Sequence, residues 1–239
     1  MLKVFISGLE KQTGKTIVGA GLAATMQSLS YSTSVYKPIQ TNATVLHGFK
    51  TSPDLAVIKK FDPNISTDST YVLKSSAPPF ISSYEDGVKI DINTIYNDFL
   101  TVDKNCDCLI VEGSNSIATP IAEHFTELDL VKSLNLPLIL VINPKVTPVE
   151  RALLGINYIL SNHCRFLGVI LNRFDENSEV LEEKYYPQIL KEFVSVKVLG
   201  TIPDYDKIHT FAPELLIADT LNHVNIEEIF GLKIAKLND

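Results

Sequence analysis

The chain has 239 residues, 45% hydrophobic content and a formal net charge of −7. That size and apolar content suit a single domain spanning residues 1–239 with a large core. The acidic balance, with no basic face in the sequence, argues against nucleic acid or an acidic membrane surface as a partner. No apolar run is long enough to span a bilayer, and the opening MLKVFISG is too short an apolar stretch for a signal peptide. Cys106, Cys108 and Cys164 lack zinc-ligand spacing and are odd in number, which fits a reducing cytoplasm.

In chain order, Leu2–Ser7 reads as a buried strand, Thr16–Ser30 as an Ala- and Leu-rich helix and Thr33–Tyr36 as a short strand. The stretch from Thr41 to Asp91 is less regular, carries several Pro and Ser residues, and is expected to supply substrate-facing loops rather than sheet. Ile92–Lys104 is an amphipathic helix, Cys108–Glu112 a strand, and Pro137–Ile142 the most apolar strand of all. A helix over Val149–Ser161, a strand over Phe166–Leu171 and a last strand over Val196–Ile202 follow. Pro187 should break the helical pattern around Glu179–Phe193, where Tyr185 and Tyr186 are expected to pack against the sheet. Strands that read as continuous apolar runs, alternating with helices, imply an α/β fold. Its central sheet is mostly parallel with helices on both faces, P-loop NTPase-like.

Between the first strand and first helix lies Gly8-Leu-Glu-Lys-Gln-Thr-Gly14-Lys15-Thr16, with five residues between the glycines where the usual phosphate loop has four. The chemistry survives the extra residue. Backbone N–H groups from Gln12, Thr13, Gly14, Lys15, Thr16 and Ile17 can surround phosphate oxygens at a helix N-terminus, Lys15 supplies charge, and the Thr16 hydroxyl can ligate Mg²⁺. A chance Gly-Lys-Thr in a turn is the alternative, but the flanking strand and helix supply the context the motif demands. These residues point to ATP with Mg²⁺ as cofactors. Glu112 ends a buried strand at the carboxyl edge of the sheet, where ligands bind; the competing reading is a strand-end charge facing water. Asp54 opens a helix and, taken alone, reads first as a first-turn carboxylate or N-cap rather than a metal ligand. Lys37, before Pro38, leaves the sheet at the same edge as a second cation for an anionic substrate or transition state, or as a solvated lysine. His47, His124, His163, His209 and His223 are scattered without metal spacing, and Asp204 and Asp206 suit a solvated loop better than a metal pair.

Together, the five-residue loop, Tyr36-Lys37-Pro38, Asp54 and Val111-Glu112-Gly113 resemble the dethiobiotin synthetase family. Thr119-Pro120, Asp129, the PLILVI strand, Gly168 with Asn172, and Leu199-Gly200-Thr201-Ile202-Pro203 follow in the expected order, so the resemblance runs from Val4 to about Glu214. It implies a homodimeric ligase acting on small molecules. The family carboxylates 7,8-diaminopelargonic acid with CO₂, phosphorylates the carbamate with ATP, and closes a cyclic urea to give dethiobiotin, ADP and phosphate in biotin synthesis. By resemblance, Thr16, Asp54 and Glu112 would ligate Mg²⁺, and Lys37 with Lys15 would be the catalytic cations. Thr41 and Lys11 would lie near the substrate and Asn115 near the nucleotide. Asn172 would read the adenine beside Pro203, Asp204, Tyr205 and Glu214.

Three segments depart from that family. Lys11 stands where it has a small hydroxyl side chain, Ser114-Asn115-Ser116 replaces Ala-Gly-Gly, and Val146-Thr147-Pro148-Val149-Glu150-Arg151 replaces a Leu-Gly helix start. Thr147 before Pro148 reads as an N-cap followed by an N1 proline, so the helix start and its anion-binding amides should survive. These departures leave a related ligase with another acid or diamine as an alternative. A partitioning-type ATPase switch is another, although such proteins carry a lysine five positions before the loop lysine and this chain has Glu10 there. A degenerate, non-catalytic nucleotide-binding domain is the last, and the intact Lys15, Thr16, Lys37, Asp54 and Glu112 argue against it.

Overall fold

The computed structural model describes residues 2–205 and 212–234; Asp206 and His209 lie outside them. In chain order the elements are β1 (Leu2–Gly8), α1 (Lys15–Ser28), β2 (Thr33–Tyr36), β3 (Ile39–Gln40), β4 (Thr44–Leu46), β5 (Phe49–Thr51), α2 (Pro53–Phe61), β6 (Ser66–Asp68), β7 (Tyr71–Val72), α3 (Pro79–Glu85) and α4 (Ile92–Lys104). There follow β8 (Cys108–Glu112), β9 (Pro120–Ala122), β10 (Phe125–Thr126), α5 (Glu127–Ser133), β11 (Leu138–Ile142), α6 (Val149–Ser161), β12 (Phe166–Asn172), α7 (Leu181–Val194), β13 (Val198–Ile202), α8 (Pro213–His223) and α9 (Ile226–Phe230).

Seven strands form one sheet in the order β13-β12-β11-β1-β8-β2-β6, every neighbouring pair parallel. Side chains alternate across it. Phe5, Val111, Leu140 and Leu171 face one layer with Ile95 and Phe99 of α4, Ile156 of α6 and Leu190 of α7. Val4, Ile6, Ile110, Val141 and Ile170 face the other, against α1, Ile58 of α2 and Leu216 of α8. Both faces are therefore apolar and buried, which is why the strands read as continuous hydrophobic runs, and each buried Val, Leu or Ile contributes on the order of 2 kcal/mol.

Four expectations change. Residues 41–91 do contribute sheet: β6 pairs with β2 as the edge strand, and β4–β5 form a separate hairpin. Ser-Thr-Asp is polar because an edge strand there is only partly buried. Helix α7 runs through Pro187 without a break, pinned on either side by buried Tyr186 and Leu190, while Tyr185 stays about half exposed and does not pack on the sheet. The N-cap of α6 is Pro148 rather than Thr147, and no side chain caps it from that position. Thr147 instead turns its hydroxyl to Glu10 Oε1 at 2.7 Å. The Val149 N–H at that helix start donates to Glu182 Oε1 of α7 at 2.8 Å, so a carboxylate of the chain itself already takes this amide. Among the described residues no helix is long and apolar enough to cross a membrane.

Candidate active site

The carboxyl ends of β1, β8, β2 and β11 converge on a cleft of about 650 Å³. Its lining includes Lys11, Gln12, Gly14, Lys15, Thr16, Thr41, Asp54, Glu112 and Asn115, so nine residues singled out from sequence meet in one place. A separate apolar groove of about 420 Å³ between Phe80, Tyr84, Val88 and Ile121 contains none of them.

The loop after β1 turns at a position that only glycine tolerates. Gly14 sits at φ +90°, and a Cβ there would fall 1.9 Å from Asn172 Nδ2, so a side chain is excluded both by conformation and by space. Asn172, at the end of β12, donates from that nitrogen to the Thr13 carbonyl at 2.9 Å and thereby holds the loop onto the sheet. Helix α1 starts at once, with Gly14 as its N-cap and 14 residues behind it, so its dipole points at the cleft. Ile17 turns its side chain into the core, and its N–H is taken by the Gly14 carbonyl.

Four polar side chains form a chain of contacts under the cleft. Thr16 Oγ1 donates to Glu112 Oε1 at 2.9 Å, and Lys37 Nζ donates to the same oxygen at 2.7 Å. Lys37 also pairs with Asp54 Oδ2 at 2.8 Å and reaches the Gly113 carbonyl at 3.1 Å. Lys37 is 1% exposed and lies behind the cleft wall that Asp54 and Glu112 form. Burial alone would lower its pKa; the Glu112 and Asp54 carboxylates override that and hold it above the ordinary lysine value. Burial pushes the Asp54 carboxyl up, but Lys37 more than offsets it and the net shift is downward. Lys15 is held by carbonyls instead, those of Asn115 at 2.7 Å and Glu10 at 3.1 Å. Desolvation therefore dominates and its pKa falls.

No group of three or more His, Cys, Asp or Glu side chains fit to hold a metal occurs among the described residues. Two carboxylates and a hydroxyl beside a phosphate loop are nevertheless the donor set that suits magnesium, which keeps waters and phosphate oxygens for most of its ligands. Glu112 supports that fit: its Oε2 is buried without a hydrogen-bond partner among the described residues. Cys106 and Cys108 are buried free thiols whose pKa values burial raises.

Pro203, Asp204, Tyr205 and Glu214 do not line the cleft. Asp204 approaches its rim through ion pairs to Arg173 at 3.4 Å and Lys145 at 2.9 Å, Tyr205 donates to Asp219, and Glu214 is exposed in the first turn of α8. The departures also find partners. Lys11 donates to the Ser76 carbonyl, and Glu10 is bound by Thr147 and by Arg151 Nη1 at 3.0 Å. Arg151 is thereby committed to Glu10.

Sequence reasoning missed Glu127 and Asn143. Glu127 is 1% exposed and accepts from Ser7 Oγ at 2.5 Å and the Ser114 N–H at 2.7 Å. It packs so closely on Gly113 that a Cβ there would sit 2.1 Å from its Oε1. The only sequence signal was an acidic residue in a helix first turn, which is commonplace. Asn143 follows β11 and lines the cleft, and nothing in its sequence neighbourhood marks it.

A family model described as an AAA domain matches residues 3–210. The chain is 22% identical over 222 residues to the ATP-dependent dethiobiotin synthetase BioD of Bacillus subtilis (strain 168), covering 93% of this chain and 94% of that one. It is 28% identical over 208 residues to the ATP-dependent dethiobiotin synthetase BioD of Nitrosopumilus maritimus, covering 85% and 89%. Among solved structures, the MinD cell division protein of Aquifex aeolicus superposes with a TM-score of 0.60 at 16% identity, covering 98% of this chain and 99% of that one, which shows the shared fold. The chain belongs to the AAA domain family, as a P-loop protein similar along most of its length to ATP-dependent dethiobiotin synthetases.

Proposed function

We propose that the chain is an Mg²⁺-ATP-dependent cyclo-ligase that carboxylates 7,8-diaminopelargonic acid and closes the cyclic urea of dethiobiotin, acting as a homodimer in the cytoplasm with residues 1–239 as one domain. The observation that carries this reading is the Thr16–Glu112–Lys37–Asp54 contact chain beneath a cleft that also holds Lys15 and Thr41. In this reading the amides from Gln12 to Thr16 bind the phosphates, Ile17 serves only to anchor the helix start, and Thr16, Asp54 and Glu112 would hold a magnesium ion that neutralises the outer phosphate charge. Asn115 and Asn172 flank the nucleotide, with Pro203 to Tyr205 and Glu214 on its adenine side.

The reaction brings two anions, a carbamate and the terminal phosphate, into contact. Lys15 in the cleft lining and Lys37 behind the cleft wall supply positive charge to that meeting point, and positioning plus charge neutralisation account for most of the catalysis. Thr41, 7% exposed and on the cleft wall, and Lys11 at its rim contact the acid substrate. Purified protein given diaminopelargonic acid, bicarbonate and Mg²⁺-ATP is expected to release phosphate in step with dethiobiotin; absence of the cyclic urea at millimolar substrate would sink the reading.

A second reading, a partitioning-type switch, draws on the MinD likeness alone. Glu10 weighs against it: at the position five before Lys15 the chain places an acid and binds it to its own Thr147 and Arg151. ATP-driven dimerisation without any small-molecule stimulation of hydrolysis would reverse that preference.

A further inference from the structure

Two side-chain amides in the cleft are left with unused donors. Asn143 follows β11 at the carboxyl edge of the sheet, is 0% exposed, and lines the cleft. Its oxygens organise the turn that follows: Oδ1 accepts from the Lys145 N–H at 3.0 Å, and its carbonyl accepts from the Val146 and Thr147 N–H groups at 3.1 and 2.9 Å. That settles which way the amide points, because the Lys145 N–H needs the oxygen and not the NH₂ group. Nδ2 then has no hydrogen-bond partner among the described residues. Asn115, 7% exposed and lining the same cleft, likewise has an unpartnered Nδ2. Its carbonyl meanwhile grips Lys15.

A buried donor without an acceptor is costly, and two of them in one cleft mark where a ligand's acceptors belong. The charges facing them narrow the ligand class. Asp54 and Glu112 are engaged by Lys37, whereas Lys11 and Lys15 are held by neutral carbonyls. Arg173 adds a third cation to the lining. Amide donors among cations whose partners are mostly neutral suit an anionic oxygen.

We propose that Asn143, with Asn115, donates a hydrogen bond to an anionic ligand oxygen, and that Asn143 is a specificity-determining residue of this chain. A substrate carboxylate and an outer phosphate both present such an oxygen. The carboxylate source rests on the ligase reading above; the donor itself does not.

The test uses the full chain with Asn143→Asp and Asn143→Ser. Both keep an oxygen able to accept the Lys145 N–H, so the turn is retained, and both lose the amide donor; aspartate adds repulsion. Calorimetry measures affinity for a non-hydrolysable ATP analogue with Mg²⁺. At saturating analogue it then measures affinity for diaminopelargonic acid and a panel of short diacids and amino acids. Asn143→Asp is expected to weaken the ligand it touches by about 100-fold and Asn143→Ser by about 10-fold, at near wild-type melting temperature. Loss confined to the carboxylates assigns the oxygen to the acid, and loss confined to the nucleotide assigns it to phosphate. Unchanged affinity in both arms overturns the proposal. A wild-type chain that ignores diaminopelargonic acid yet binds another carboxylate through Asn143 keeps the donor and discards the substrate. If no carboxylate binds, the nucleotide arm alone decides.

Discussion

The two halves of the loop between β1 and α1 are held by different parts of the molecule. Thr13-Gly14-Lys15-Thr16 is tied to the ends of buried strands, through Asn172 at the end of β12, Glu112 at the end of β8, and the Asn115 carbonyl just beyond it. Glu10-Lys11 is tied to the periphery, to Thr147 and Arg151 at the start of α6 and to Ser76 in the irregular 41–91 stretch. Strand ends buried on both faces have little freedom to shift, whereas surface turns accept change at small cost. The first half should therefore decide whether any reaction occurs, and the second which acid takes part.

The sharpest way to break that division is at Lys37, the cation shared by both cleft carboxylates. Lys37→Met removes the charge while keeping most of the volume, and leaves buried Glu112 facing Asp54 without a counter-ion. Turnover is expected to fall about 1,000-fold, in the range for losing a group that stabilises developing charge. Stability should drop by about 3 kcal/mol, as when one partner of a buried ion pair is removed. Initial rates of phosphate release, paired with denaturant unfolding, check both; turnover within about threefold of wild type would remove Lys37 from the chemistry.

Glu112→Gln comes next. It keeps an acceptor for Thr16 and Lys37 but lowers the charge of the one group that touches both. The Mg²⁺ concentration needed for half-maximal nucleotide binding should rise by about 100-fold, the upper end for loss of a supporting group around a metal. An unaltered magnesium titration would show that Glu112 serves Lys37 alone. On the other half of the loop, Lys11→Ala should raise KM for the acid about tenfold, one charged hydrogen bond's worth, and leave ATP affinity unchanged. A change in ATP affinity with the acid unaffected would erase the distinction between the halves.

The same contrast explains what could be read from sequence. The bounds of β2, β8, α4 and α6 match the apolar patterns residue for residue, because each of these elements buries a face whose period is visible locally. That Lys15, Thr16 and Glu112 meet in one cleft was legible from a strand end and a glycine loop at the carboxyl edge of the sheet, whereas Asp54 joined them only through the family resemblance. Strand β6 was not, since Ser-Thr-Asp gains its place only by pairing with β2. Pro187 misled because local propensity lost to tertiary packing of Tyr186 and Leu190. Thr147 looked like a cap but serves Glu10, 137 residues away in sequence. Glu127 and Asn143 were invisible for the same reason: what sets them apart is a partner, or a missing one, that only the folded chain defines.

Glu127 offers the smallest effect and the finest test, because it touches residues beside both halves of the site without lining the cleft. Burial pushes its carboxyl pKa up, against the opposing hydrogen bonds from Ser7 and Ser114. The folded state thus keeps a proton that the unfolded chain gives up near pH 4.3, roughly the ordinary glutamate value. This group's contribution to stability is complete below that pH and is lost as pH rises through the folded value. Glu127→Gln has no charge to bury; its oxygen can accept from the Ser114 N–H and its NH₂ group can donate to Ser7 Oγ. The variant should therefore match the wild type near pH 4 and melt higher, by about 2–4 °C, at neutral pH. Curves of melting temperature against pH that run parallel for the two proteins would mean that Glu127 does not carry the cost of a buried charge assigned to it. The packing on Gly113, rather than the charge, would then be what holds the Ser114–Ser116 loop to the sheet.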